Sequence, residues 1–218
     1  SFEHPEFFST QIRAILRAAA NNRRGTPKVR LMFPMITALE GARRGRTLAR
    51  KAAQRLTQEG RAIGQTPVGI MIEVPATAVA IDSFLPEVDF VSIGSNDLVQ
   101  DLMAADRDNP QASPLCQPLA PPVLRVLKKV IQACNAAMKP VTLCGEMAGS
   151  PRGFVLLFGM GLRSFSMSPA FVPSIKELLS HLTRAKAERI VQKALSLKTT
   201  AAVNRCMGQQ IAELAPNL

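Results

Sequence analysis

Five residues carry side chains that could do chemistry at spacings that need explaining. They are Glu73 in MIEVPATA, Asn96 and Asp97 in GSNDL, Arg107 in AADRDN, and Cys144 in VTLCGEMAG. Glu73 and Asp97 each follow a short apolar run. Carboxylates at two adjacent strand ends could share one hard divalent cation, because Mg²⁺ keeps several waters and takes only one or two protein carboxylates. Gly94 and Ser95 are small enough to let backbone N–H groups approach an anion, and Asn96 adds an amide that both donates and accepts. The same four residues would also serve as a plain βα turn with Asp97 as a helix N-cap. Arg107 could make a forked contact to a phosphate or carboxylate. Spacing alone does not separate that role from one more surface arginine. Cys144 sits between an apolar run and Gly145-Glu146. Free cysteine is usually a buried core thiol. At a strand end, a thiol of ordinary acidity is mostly protonated at neutral pH and suits a proton donor better than a nucleophile.

The other titratable groups form no rival centre. Cys116, Cys134 and Cys206 have no CxxC spacing, and the only histidines are His4 and His181, so zinc is not expected. The three cysteines read as structural and the histidines as surface or capping residues. A core-rich chain of this size needs no disulfide framework, which fits reduced thiols in the cytoplasm.

Five apolar runs must position these groups: 28–35, 68–75, 88–95, 139–145 and 162–168. They are rich in Val, Ile and Phe and mostly apolar throughout, as strands covered on both faces of a parallel sheet are. Helical patterns lie between them at 11–20, 38–59, 76–85, 122–138 and 152–158, with two or three more helices in 173–214. Strand–helix alternation predicts α/β architecture with a parallel sheet. Active-site groups of such folds collect at the C-terminal strand ends, where Glu73, Asn96, Asp97 and Cys144 fall, with Arg107 just after the third strand. An eight-stranded β/α barrel takes about 250 residues. Five units and a helical tail from about residue 170 fill this chain, which opens on a helix and on Ser1 rather than Met. The expectation is a (β/α)8 TIM barrel lacking about its first three β/α units, cut from something longer and occupying 1–218. An open sheet is the alternative.

Charge and composition exclude other classes. The net charge is +11, concentrated in the 23–55 region, where Arg43, Arg46 and Arg50 have near-helical spacing. Such a run is ordinarily a solvated helix face. The chain has no Tyr and no Trp, so a base-stacking platform is missing and nucleic-acid binding is not expected. No apolar run approaches the roughly 20 residues of a membrane span, and membrane insertion is not expected. The start, SFEHPEFFSTQ, does not read as a secretory leader.

In order along the chain, RLMFPMI, MIEVPATA, DFVSIGSNDLVQ, AADRDN, CGEMAGS and GMGLRSFSMSP resemble the C-terminal half of the PEP-binding barrel of the enzyme I family. These are the phosphoenolpyruvate–protein phosphotransferases of the bacterial sugar phosphotransferase system. The enzyme I domain of a multiphosphoryl transfer protein fits equally well. The resemblance implies Mg²⁺ on Glu73 and Asp97, and phosphoenolpyruvate on Asn96, on the Asp97 backbone and on Arg107. It implies Cys144 as the proton donor that converts enolpyruvate to pyruvate. It further implies phosphate transfer to a histidine of the same enzyme, then to a histidine-containing phosphocarrier protein, in a cytoplasmic homodimer. Two positions depart from the family. Asp101 stands where DLxQY has its tyrosine, and Cys116 makes LCQP of the usual LYQP. The phosphoacceptor histidine segment and the first barrel strands are not in the chain, so the 218 residues alone are expected to transfer little or no phosphate. Phosphoenolpyruvate synthase and pyruvate phosphate dikinase share this barrel. A Mg²⁺-dependent lyase or aldolase acting on 2-oxo acids and a non-enzymatic dimerisation module are the remaining alternatives.

Overall fold

The computed structural model describes residues 4–21 and 29–215. The basic stretch at 23–28 lies outside them.

Proline in the first turn starts α1 (Pro5–Ala18), where its missing N–H is no loss. Its apolar stripe buries Ile12 and Leu16 in the same core as Ala42, Ala49, Ala52 and Leu56 of α2 (Leu39–Gln58). Between these helices runs β1 (Leu31–Phe33). The next strand, β2 (Val68–Ile72), leads into two short helices, α3 (Pro75–Val79) and α4 (Ile81–Phe84). The single helix expected at 76–85 is therefore broken at Ala80. β3 (Phe90–Gly94) runs directly into α5 (Ser95–Met103). Then come α6 (Pro121–Ala136), β4 (Val141–Cys144), α7 (Glu146–Gly149), α8 (Pro151–Gly159) and β5 (Ser164–Ser166). The helices α9 (Val172–Ser180), α10 (Arg184–Ser196) and α11 (Thr200–Leu214) follow.

All five expected strands form, each shorter than its apolar run. They make one parallel sheet in the order β1-β2-β3-β4-β5, the arrangement of consecutive β/α units in a barrel. The register sorts the side chains onto two faces. Ile72, Ile93, Leu143 and Phe165 align across β2 to β5. The first three are fully buried in one core with Leu124, Leu127 and Ile131 of α6. Met71, Ser92, Thr142 and Ser164 align on the opposite face, which is the more polar one. At the C-terminal ends this second face receives Gly94, Cys144 and Ser166 in register. Alternation puts Glu73, two residues past Met71, on that face as well.

The basic face of α2 finds a partner. Arg43 Nε lies 2.8 Å from Glu87 Oε1, Arg46 donates to the Glu87 carbonyl at 2.6 Å, and Arg46 also lies 3.6 Å from Asp89 Oδ1. Asp89 in turn accepts the Val68 N–H at 2.8 Å. The arginines thus grip the loop that leads into β3. Exposed pairs of this kind are each worth about 0–1 kcal/mol.

Candidate active site

Glu73 follows β2 and is 3% exposed. Its Oε1 accepts the Met35 N–H at 2.5 Å. Met35 is itself left-handed, with φ 52°, which turns the chain after β1 so that its N–H faces the carboxylate. Thr77 Oγ1 donates to the Ile36 carbonyl and ties the same loop to α3. Gly94 provides the room for this carboxylate. A Cβ there would come within 3.0 Å of Glu73 Oε2 and 2.9 Å of Met71 Sδ.

Asp97 does not cap a helix. α5 begins at Ser95 with Gly94 in the N-cap position and no side-chain cap, so Asp97 belongs to the first helical turn. The Gly-Ser-Asn-Asp composition reads as a turn, but only Leu98 and Val99 are needed to bury a helix this short. From the first turn the Asp97 carboxylate faces two groups. Its Oδ1 lies 2.8 Å from Arg107 NH1, and it interacts with Glu73. Arg107 is held further by its own N–H, which donates to Gln100 Oε1 at 3.2 Å.

Burial pushes the Glu73 carboxyl above its ordinary range. The Met35 N–H works against that rise, while Asp97 and Asp101 add to it. Asp101, one of the two departures from the family wording, is thus an electrostatic neighbour of the centre. At a pH between the ordinary glutamate value and the raised one, the folded chain binds more protons at Glu73 than the unfolded chain does. Without a cation, stability is therefore expected to fall as pH rises from the ordinary glutamate value of 4.5 through the raised folded value. Glu73→Gln should flatten that fall when Tm is followed against pH in a chelator. An unchanged slope would show that the burial of this carboxyl is not what sets it.

Asn96 is oriented by its neighbour across the cleft. Its Oδ1 accepts the Glu146 N–H at 3.1 Å, which leaves the amide NH2 as the group that can donate to a ligand. Cys144 is half-buried, with Sγ 3.5 Å from the Ile93 carbonyl and 3.7 Å from Ser92 Oγ. Gly145 then turns the chain with φ 112°, a conformation that side chains disfavour.

A cleft of about 600 Å³ opens beside these groups. Asn96, Arg107, Cys116, Glu146, Arg152 and Asn204 are among its lining residues, whereas Glu73, Asp97 and Cys144 are not. Asn96 and Arg107, the side chains expected to handle an anion, therefore face the open cleft, and the paired carboxylates and the thiol do not line it. Arg152 and Asn204 of α11 meet at 3.4 Å on the cleft wall. Nothing in the sequence signals that pair, because they stand 52 positions apart and neither sits in a motif.

The remaining expected roles separate. Cys134 is buried in α6, and burial pushes its thiol up to about 12. Cys206 is buried in α11. Cys116 lines the cleft, with its Sγ donating to the Ala105 carbonyl at 3.0 Å. His181 pairs with Glu177 at 3.0 Å at the end of α9, and His4 precedes α1. Among the described residues no group of three or more His, Cys, Asp and Glu side chains could hold a metal. Glu73 and Asp97 remain as a pair of hard oxygen donors whose mutual repulsion a cation would relieve, which fits an ion that draws its other ligands from substrate and water. Among the described residues no helix is long and apolar enough to cross a membrane.

Residues 1–184 match the model of the PEP-utilising enzyme, PEP-binding domain. The chain is 40% identical over 202 residues to the phosphoenolpyruvate-protein phosphotransferase of Bacillus subtilis strain 168, covering 92% of this chain and 35% of that protein. The protein of the same name from Lactococcus lactis subsp. cremoris is 44% identical over 190 residues, covering 87% of this chain and 32% of the relative. The chain thus spans about one third of the length of these relatives. A citrate lyase structure from Burkholderia xenovorans LB400 matches with a TM-score of 0.55 at 17% identity, over 96% of this chain and 70% of that one. That likeness is one of fold.

Proposed function

This chain belongs to the PEP-utilising enzymes through their PEP-binding domain, and from that membership we propose that it is the phosphoenolpyruvate-binding part of a phosphoenolpyruvate–protein phosphotransferase. The observation that carries the reading is one juxtaposition. Two interacting carboxylates, Glu73 and Asp97, lie beside the guanidinium of Arg107 and the oriented amide of Asn96, with the Cys144 thiol on the same sheet face.

The chemistry follows from charge. Phosphoryl transfer asks for positioning and neutralisation rather than covalent help. Glu73 and Asp97 would hold Mg²⁺, which when bound offsets the charge of the phosphate and carboxylate of the substrate. Arg107, held at its backbone by Gln100 and at its side chain by Asp97, presents donors to phosphoryl oxygens. Asn96 donates from its amide. As the P–O bond breaks toward a histidine nitrogen, the electron pair stays on oxygen and leaves the enolate of pyruvate. The Cys144 S–H gives its proton to the methylene carbon, and a thiolate remains to be reprotonated from solvent. The histidine, the phosphocarrier protein that receives the phosphate, the homodimer and the cytoplasmic setting belong to this same proposal.

Titration calorimetry tests the binding half. The chain in its full-length context is expected to bind phosphoenolpyruvate only when Mg²⁺ is present. Binding of equal strength in a chelator would remove the carboxylate pair from the reading.

A further inference from the structure

We propose that Ser95 is a positioning residue for Cys144, acting through the strand exit that aims the thiol; this rests on the reading of Cys144 as proton donor. Ser95 is the first residue of α5 and is 2% exposed. Its hydroxyl donates to the Cys144 carbonyl at 2.9 Å. That carbonyl stands where the sheet gives out, because the pairing of β3 with β4 ends at Gly94 and Cys144, and that of β4 with β5 ends at Cys144 and Ser166. The next residue, Gly145, leaves the strand direction with φ 112°. Beyond it, Asn96 Oδ1 accepts the Glu146 N–H at 3.1 Å. Two consecutive side chains of α5 therefore clamp the two peptide groups that flank Gly145.

The fit around that glycine shows how tight the clamp is. A Cβ at Gly145 would lie 2.3 Å from Ser95 Oγ and 2.7 Å from Asn96 Oδ1. Those contacts lie below the separations that real Cβ atoms keep, so with Ser95 and Asn96 in these positions the site admits only glycine at 145. The thiol direction follows from the backbone of Cys144, and the Ser95 bond fixes that backbone at its last carbonyl. The same helical turn carries Asp97. The clamp therefore sets the proton donor at a fixed place relative to the residues that hold the anion. A displacement of about 1 Å in such an arrangement costs up to about 10²-fold in rate.

The test separates aiming from mere support. In the full-length context, NMR would follow exchange of pyruvate methyl protons with D2O in the presence of Mg²⁺, and calorimetry would follow phosphoenolpyruvate binding. Ser95→Ala is expected to slow exchange about 10-fold or more while affinity stays within about twofold. Ser95→Thr keeps the hydroxyl and should restore exchange. Ser95→Cys, a weaker donor of similar size, should fall between and also serves if the alanine variant does not fold. Unchanged exchange in both Ser95→Ala and Ser95→Cys overturns the proposal. So does a joint loss of exchange and affinity, which marks a structural role only. Cys144→Ala is the control. If it leaves exchange intact, the proton-donor reading fails, and the Ser95 proposal fails with it for a reason the other variants do not share.

Discussion

Asp97→Asn is expected to abolish Mg²⁺-dependent binding of phosphoenolpyruvate at concentrations that saturate the parent chain, and to lower turnover about 10³-fold in the full-length context. Three functions meet on this one carboxylate. It shares an electrostatic site with Glu73, it pairs with Arg107 at 2.8 Å, and it sits in the turn that carries Asn96. The amide keeps the shape and the hydrogen-bonding capacity but removes the charge a hard cation needs. A lost metal contact is worth several kcal/mol, and each 1.36 kcal/mol is about tenfold in rate. A second sign accompanies the loss. Asp97 is one of the groups that raise Glu73, so the asparagine should lower the Glu73 pKa toward its ordinary value and weaken the fall of Tm with pH in a chelator. A variant with a flatter Tm–pH curve in a chelator and no Mg²⁺-dependent substrate binding is the expected result. Retained Mg²⁺-dependent affinity would place the cation elsewhere.

Cys144→Ser is expected to leave phosphoenolpyruvate and Mg²⁺ affinity nearly unchanged while slowing protonation of the enolate about 10²–10⁴-fold, the usual scale for a positioned proton donor. Serine matches the thiol in shape and can keep the contact to the Ile93 carbonyl. It differs in being far less acidic, so it holds its proton when the enolate needs one. A neutral thiol and a neutral hydroxyl present the substrate with the same charge, which is why affinity should survive. Methyl exchange of pyruvate in D2O isolates the protonation step from phosphoryl transfer. Collapse of affinity in the serine variant would instead make Cys144 a binding group.

The alternation of apolar runs with helical patterns already carried the architecture, because both faces of a parallel sheet are covered and its strands read as continuous apolar segments. The five strands lie where the runs are, trimmed to the residues that pair. Two local elements were less legible. α5 hides behind Gly-Ser-Asn-Asp, whose side chains favour turns, and it holds because Leu98 and Val99 bury beneath it. The helix expected at 76–85 breaks at Ala80, where neither composition nor hydropathy marks an interruption.

The sequence by itself determined which groups could act. Glu73, Asn96, Asp97 and Cys144 are recognisable by type and by their place after apolar runs, since a strand must end before a functional side chain can leave the sheet, whereas Arg107 is singled out by the family resemblance and not by its spacing. Only the tertiary structure decided which of them act on one another. It turned Asp97 from a possible cap into the partner of Arg107 and Glu73, and put Glu73 under a backbone N–H from the left-handed Met35. It also drew Arg152 and Asn204 to the cleft wall and tied Ser95 to the Cys144 carbonyl 49 positions further along the chain. The reason is physical. Local pattern is set by which side chains must leave water, and that is written along the chain. Hydrogen bonds and charge pairs depend on angles and separations of a few ångströms between residues far apart in sequence, and those exist only once the sheet has fixed its register.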